Sequence, residues 1–175
     1  MKKEIKIAIS GKSGCGNSTV SKMIADHLGL HFINYTFRNL AHERGIDLRT
    51  VLELAEKDDF WDKEVDSRQV QMAREGGGCA LGSRLAVWML EEADLKVYLH
   101  ATPETRAQRI LKREGGDLEE ITTFTAKRDR LDHDRYLKLY NIDTENHDFV
   151  DLIIETDDVG PQEIVDRIIE AAEKL

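Results

Sequence analysis

Nine consecutive residues carry most of the chemistry that can be read from this chain: Gly11-Lys12-Ser13-Gly14-Cys15-Gly16-Asn17-Ser18-Thr19. Three glycines let a backbone fold around an anion. The N–H groups of the loop and of a following helical turn then point at the anion, aided by the helix dipole. The spacing Gly11-x-x-x-x-Gly16 followed by Ser18 is that of a polyphosphate-binding loop, in which the serine hydroxyl reaches a Mg²⁺ ion. All nine residues are therefore candidates for nucleotide binding, and Ser18 is the candidate metal ligand. One position departs from the pattern. Asn17 stands where such loops carry a lysine that reaches the β- and γ-phosphates, and an amide hydrogen-bonds without supplying charge.

The missing charge makes Lys12 a candidate. Either it supplies part of what Asn17 lacks, or it stands solvated on the loop. Its place after the first glycine has a limited resemblance to the variant loop of partitioning-type ATPases, which are longer and keep the usual lysine as well. Cys15 sits at the mouth of the loop. A helix N-terminus can lower a thiol pKa, but a small residue that simply fits is the plainer reading.

A loop of this kind must be held between a strand and a helix. The run Ile5–Ser10 reads as a short buried strand, and Val20, Met23, Ile24, Ala25 and Leu28 recur at helical spacing after the loop. Further strand candidates are His31–Ile33, Cys79–Leu81, Leu95–His100 and Val150–Ile154. Thr102-Pro103-Glu104 and Gly160-Pro161-Gln162-Glu163 read as helix starts. Short apolar strands alternating with helices predict an α/β fold, a five-stranded parallel sheet covered on both faces in three layers, α/β/α. Two charge-rich stretches, Thr36–Glu75 and Glu114–Asp148, do not fit that core and read as insertions able to move relative to the sheet.

Composition narrows the function classes. The chain has 175 residues, one domain's worth. Its net charge of −9 argues against a non-specific binder of nucleic acid, which needs a basic face. With 41% hydrophobic residues and no apolar run near the ~20 residues of a spanning helix, disorder and a membrane span are not expected. The opening Met1-Lys2-Lys3-Glu4 and the short apolar stretch after it do not make a signal peptide, so a cytoplasmic location is expected. Cys15 and Cys79 are the two cysteines, expected as free thiols. His31, His42, His100, His133 and His147 show no ligand spacing and are assigned no metal. Trp61 and Trp88 read as packing residues.

Several segments together resemble the compact cytidylate kinases of archaea and some bacteria, in the nucleoside monophosphate kinase group of phosphate-loop proteins. They are Ile7–Gly11 with Ser18-Thr19-Val20, Phe37-Arg38 with Arg44-Gly45, Asp62–Gln69, Gly82-Ser83-Arg84-Leu85-Ala86, Ala93–Val97, Arg106-x-x-Arg109, Lys127-Arg128-Asp129 with Arg135-Tyr136, and Tyr140–Asp143. Members of this type often carry threonine in place of the loop lysine. Two features depart from the family: Tyr35 lies near the place of an Asp, and Gly82-Ser83-Arg84 replaces Glu-Gly-Arg.

The resemblance implies a single kinase domain over 1–175, with residues 34–76 as a helical monophosphate-binding insertion and 114–146 as a helical lid. It implies transfer of the γ-phosphoryl group of ATP to CMP, with dCMP as a second acceptor, and Mg²⁺ as cofactor. Arg38 and Arg84 would grip the acceptor phosphate, since a guanidinium fork matches phosphate oxygens. Asp66, Arg68 and Gln69 would read the cytosine edge or form a charged helix face. Lys12, Arg128, Arg130 and Arg135 would stabilise the transferring group. Arg128 and Arg135 are seven apart and share a helix face; the blander alternative is a solvated helix stitched by Asp129, Asp132 and Asp134. Small-molecule nucleotides are the expected partners, with no nucleic-acid polymer and no membrane, and no feature fixes an oligomeric state. Two other functions stay open: a phosphate-loop kinase for another small-molecule acceptor, and a silent nucleotide-binding module, the latter because of Asn17.

Overall fold

The structure, a computed structural model, describes residues 4–175; Met1–Lys3, which enter the expectation about a signal peptide, lie outside the described residues. Five strands, β1 (Lys6–Ser10), β2 (His31–Ile33), β3 (Cys79–Gly82), β4 (Leu95–His100) and β5 (Leu152–Glu155), form one sheet. Its order is β2-β3-β1-β4-β5, and every pairing is parallel. The helices are α1 (Asn17–Leu28), α2 (Phe37–Arg44), α3 (Leu48–Ala55), α4 (Phe60–Glu75), α5 (Ala86–Met89), α6 (Pro103–Glu114), α7 (Leu118–Tyr140) and α8 (Pro161–Ala172).

The central strand explains the layers. Successive side chains of a strand face opposite ways, and β1 is buried on both faces. Ile7 and Ile9 join Val97 and Leu99 of β4 in a core with Val20 and Ile24 of α1 and Ile164, Val165 and Ile168 of α8. Ala8 faces the other way, with Leu81, Val70 of α4 and Val87 of α5. Each isoleucine so buried contributes about 1.5–3 kcal/mol. The three-layer α/β/α expectation holds.

The strand ends shift by a residue or two from the sequence reading. Val150 does not join β5, because its N–H is taken by the carbonyl of His147 at 3.2 Å in a turn. Both proline signals mark helix starts: Thr102 caps α6, its hydroxyl accepting the N–H of Thr105, and Pro161 opens α8. The stretch between β2 and β3 folds into α2, α3 and α4, whereas the stretch after α6 is a single 23-residue helix, α7. Asp117 caps α7 by accepting the N–H of Glu120, and Asn141 stops it with a left-handed φ of 54°. α7 packs back against α6. Among the described residues, no helix is long and apolar enough to cross a membrane.

Candidate active site

In a parallel sheet the ligand crevice lies beyond the carboxyl ends of the strands, where crossovers leave to opposite sides. Here β1 feeds α1 toward β2, while β3 crosses over β1 to β4. The loop 11–19 occupies that point and forms the floor of a cleft of about 1130 Å³.

The loop is shaped by close approach. A Cβ on Gly11 would lie 2.5 Å from the carbonyl oxygen of Leu99. Gly14 has φ +86° and its ideal Cβ lies 2.9 Å from the Arg106 carbonyl oxygen, so only glycine fits there. The N–H of Cys15 closes a turn onto Lys12 O at 3.1 Å, and Gly16, with φ +96°, caps α1. Among the described residues, the N–H groups of Gly14, Gly16 and the first helical turn, Asn17 to Thr19, have no backbone partner. Free amides of this kind are what an anion-binding loop requires.

Side chains in the loop behave differently from one another. Asn17 donates from Nδ2 to the Gly11 carbonyl at 2.6 Å, tying the loop across its base. Lys12 lines the cleft, but its ammonium meets Glu145 at 2.8 Å. Ser18 is exposed toward the cleft, and its hydroxyl accepts from Asn34 Nδ2 at 3.1 Å. Cys15 is buried, and burial pushes its thiol pKa up despite the lowering pull of Arg106 and Arg109. The small fitting residue is therefore the role the structure gives it. Both cysteines are free thiols.

Beside the loop, five basic and acidic groups interlock. Ser10, at the end of β1, donates to Ser83 O at 2.9 Å and accepts the Val87 N–H at 3.1 Å, which fixes the turn carrying Arg84. Arg84 hydrogen-bonds to Ser13 Oγ at 3.2 Å and pairs with Asp132 of α7. Arg135 reaches the other oxygen of Asp132 at 2.9 Å and lies 3.4 Å from Asp62 of α4. Arg128 lies 3.9 Å from Asp132, and desolvation beside Arg84 lowers its pKa. One carboxylate thus gathers three guanidiniums at the cleft wall.

A second group lies nearer α4. Asp66 accepts from Tyr140 OH at 2.7 Å, and burial pushes its pKa up to about 6 against that hydrogen bond. Burial also raises Asp62. Gln69 is buried in the cleft wall with its side-chain oxygen unpaired. Arg38, Arg68 and Arg130 do not line the cleft; each is exposed on its helix, Arg68 donating to Gln71 at 3.2 Å. Tyr35 is buried, and that desolvation, with the hydrogen bond its hydroxyl donates to Glu43 at 2.8 Å, raises its pKa to about 12.

In the blander alternative Asp129 and Asp132 are solvated partners on the helix face. Instead Asp132 is buried beneath three arginines, and Asp129 pairs with Arg106 of α6 at 2.7 Å. Asp62, Asp129 and Asp132 lie far in sequence from some of their partners, so no local spacing reveals them. One histidine lies among carboxylates. His100, Glu155 and Asp157 bring ligand atoms within 4.8 Å of one another, because His100 and Glu155 are register partners across β4 and β5. Those groups satisfy each other and the start of α6: His100 meets Glu155 at 2.5 Å, and Asp157 accepts the Thr102 N–H at 3.1 Å. Trp88 packs edge-on against Tyr98 and Phe149, as its packing assignment required.

A parallel sheet of this order, with β1 running into a glycine loop that caps α1, defines a phosphate-loop α/β protein. The chain belongs to the cytidylate kinase-like family, whose model matches residues 6–158. It is 44% identical over 174 residues to cytidylate kinase 2 of Borreliella burgdorferi, covering 97% of this chain and 96% of that protein. It is 40% identical over 173 residues to cytidylate kinase of Pyrococcus horikoshii, covering 98% and 89%. Shikimate kinase from Bacteroides thetaiotaomicron shares the fold, with a TM-score of 0.64 at 18% identity, covering 97% of this chain and 98% of that one.

Proposed function

We propose that the protein is a nucleoside monophosphate kinase that transfers the γ-phosphoryl group of ATP to CMP, and to dCMP as a second acceptor, in the cytoplasm. The observation that carries this reading is the meeting of free loop amides and three guanidiniums in one cleft. Free amides of the loop line that cleft together with Arg84, Arg128 and Arg135. Two relatives bearing the cytidylate kinase name support the choice of acceptor.

Phosphoryl transfer asks a protein mainly for positioning and for positive charge around the moving group. The loop amides hold the β-phosphate of the donor. An oxygen of the acceptor's phosphate attacks the γ-phosphorus, the bond to the β-bridging oxygen breaks, and ADP leaves. Arg84 binds the acceptor phosphate after exchanging Asp132 for it. Arg128 and Arg135 turn to the transferring group from α7, which closes as the lid and excludes water. Residues 34–76 act as the acceptor-binding insertion and 114–146 as the lid. Gln69 offers an unpaired oxygen to the exocyclic amino group of cytosine, and Asp66 supports it from the same helix. Arg38, Arg68 and Arg130 reach the nucleotides only if α2, α4 and α7 move inward. Lys12 adds charge only after leaving Glu145.

Mg²⁺ fits the donor set as an ion bound largely by the nucleotide. Mg²⁺ keeps several waters and takes few protein oxygens beside phosphates. Ser18 would hold it. Gly82, at the end of β3, leaves no room for a carboxylate there, since its Cβ would lie 2.3 Å from Ser21 Oγ. The ion supplies charge neutralisation to the donor phosphates.

The test is a steady-state panel of CMP, dCMP, UMP and AMP with MgATP, following ADP release. CMP turns over fastest, with dCMP next. A preference for another acceptor replaces the cytidylate reading, and nucleotide binding without acceptor-dependent turnover supports the silent module.

A further inference from the structure

The loop lacks its lysine, and Asn17 spends its amide on Gly11 O. Lys12 is held by Glu145. The cations in direct contact with the loop backbone come instead from α6, behind it. Arg106, 4% exposed, donates from Nη1 to Ser13 O at 3.2 Å. Arg109 donates from Nη1 to Gly14 O at 3.3 Å and to Thr156 Oγ1 at 3.0 Å, and from Nη2 to Thr156 O.

Both contacts act on peptide planes of the cup. In a trans peptide the C=O and the next N–H point opposite ways. A guanidinium holding Ser13 O toward α6 therefore turns the Gly14 N–H away from α6, where it stays free for an anion. The Gly14 carbonyl belongs to the peptide whose N–H, that of Cys15, closes the loop onto Lys12 O. Arg109 pulls on that peptide and strengthens the turn by polarising it.

The two arginines differ in net charge. Arg106 is paired with Asp129 at 2.7 Å, so its charge is largely offset. Among the described residues, Arg109 has no carboxylate within ion-pair distance, and its hydrogen bonds go to neutral oxygens. In the loop, Cys15 feels its field as a minor lowering pull, and the nearby Asp157 carboxylate feels it as well. Arg109 also lines the cleft.

We propose that Arg109 replaces the missing loop lysine, as a positioning residue that sets the loop peptides from behind and supplies to the polyphosphate a guanidinium charge held in no ion pair, with Arg106 as the neutralised strut beside it. This rests on the kinase reading only for the loop's ligand, not for the acceptor.

The experiment measures affinity of the full chain for inorganic tripolyphosphate and for MgATP by calorimetry, with a melting curve for each variant. Tripolyphosphate has no base, so a contact to adenine cannot move its affinity. Arg109→Gln keeps a donor for Gly14 O but removes the charge. It should lower both affinities by the same factor, about tenfold, the scale of one charge-assisted contact. Arg109→Lys should stay within about threefold of wild type. Adding Asn17→Lys to Arg109→Gln should recover at least half of the loss on a logarithmic scale, which a merely structural role would not allow.

Unchanged tripolyphosphate affinity in Arg109→Gln, a loss confined to MgATP, or no recovery with Asn17→Lys overturns the proposal. If Arg109→Gln does not fold, Arg106→Lys carries the test. One ammonium cannot hold both Ser13 O and Asp129 as the guanidinium does, so tripolyphosphate affinity should fall about threefold or more, and an unchanged value overturns the strut. Wild-type protein that binds neither ligand overturns the phosphate-loop reading itself, and that result is separate from all the others.

Discussion

Arg84 and Asp132 are bound to each other across the cleft, one on the turn after β3 and the other on α7, 48 residues apart. Arg128 and Arg135 converge on the same carboxylate. Asp132 thus occupies the place that a phosphate must take if the three guanidiniums are to bind one. The pairing also solves an electrostatic problem, since three half-buried cations without a counter-charge would repel.

Arg84→Ala should raise the KM for the acceptor tens-fold, the scale of a lost charge-assisted contact, while the KM for ATP changes by less than about threefold. Equal losses for both nucleotides would remove Arg84 from the acceptor site.

The double variant Arg128→Ala with Arg135→Ala should depress kcat by about tens- to a thousand-fold, the range of arginine fingers, with a smaller change in acceptor KM. Near-normal turnover would take α7 out of the chemistry.

Asp132→Asn leaves the three guanidiniums without their shared anion. Unfolding free energy should fall by about 1–3 kcal/mol at low ionic strength, less than for a fully buried pair because the arginines are partly exposed. Sulfate taking the vacated place among those arginines should raise the variant's Tm more than the wild-type Tm. Equal responses would show that Asp132 is not the stand-in.

Asp66 gives a pH prediction. Its carboxyl is raised from the ordinary 3.8 to about 6, chiefly by burial. The folded state then holds this proton more tightly than the unfolded state. Stability from this group therefore falls as pH rises from about 4 to about 6, and the penalty persists above that. Asp66→Asn should be more stable than wild type at pH 8 by about 1–3 kcal/mol, with the difference vanishing near pH 4. If the carboxylate form supports cytosine, acceptor kcat/KM rises through an apparent pKa near 6 in wild type and loses that step in the variant. A stability difference independent of pH would remove the buried-carboxylate account.

Much of the molecule is legible in its sequence. Glycine spacing from Gly11 to Gly16 dictates a turn that L side chains cannot follow, and the apolar runs of β1 and β4 can only be buried strands. Proline after a capping residue starts a helix wherever it stands, as Thr102-Pro103 and Gly160-Pro161 do. These signals are local, carried by dihedral preference and burial periodicity, so sequence alone determined the α/β layers and the loop.

What Lys12, Asn17 and the arginines do was decided by tertiary structure. Glu145 takes Lys12 from 133 residues away in the chain, and Arg109 meets Gly14 across 95. Which carboxylate neutralises which guanidinium depends on distances that folding alone sets. Coulomb energy and desolvation depend on those distances and on depth, neither of which is written in spacing. The sequence specified the ions available to this cleft, and packing of α6 and α7 against the loop chose their partners.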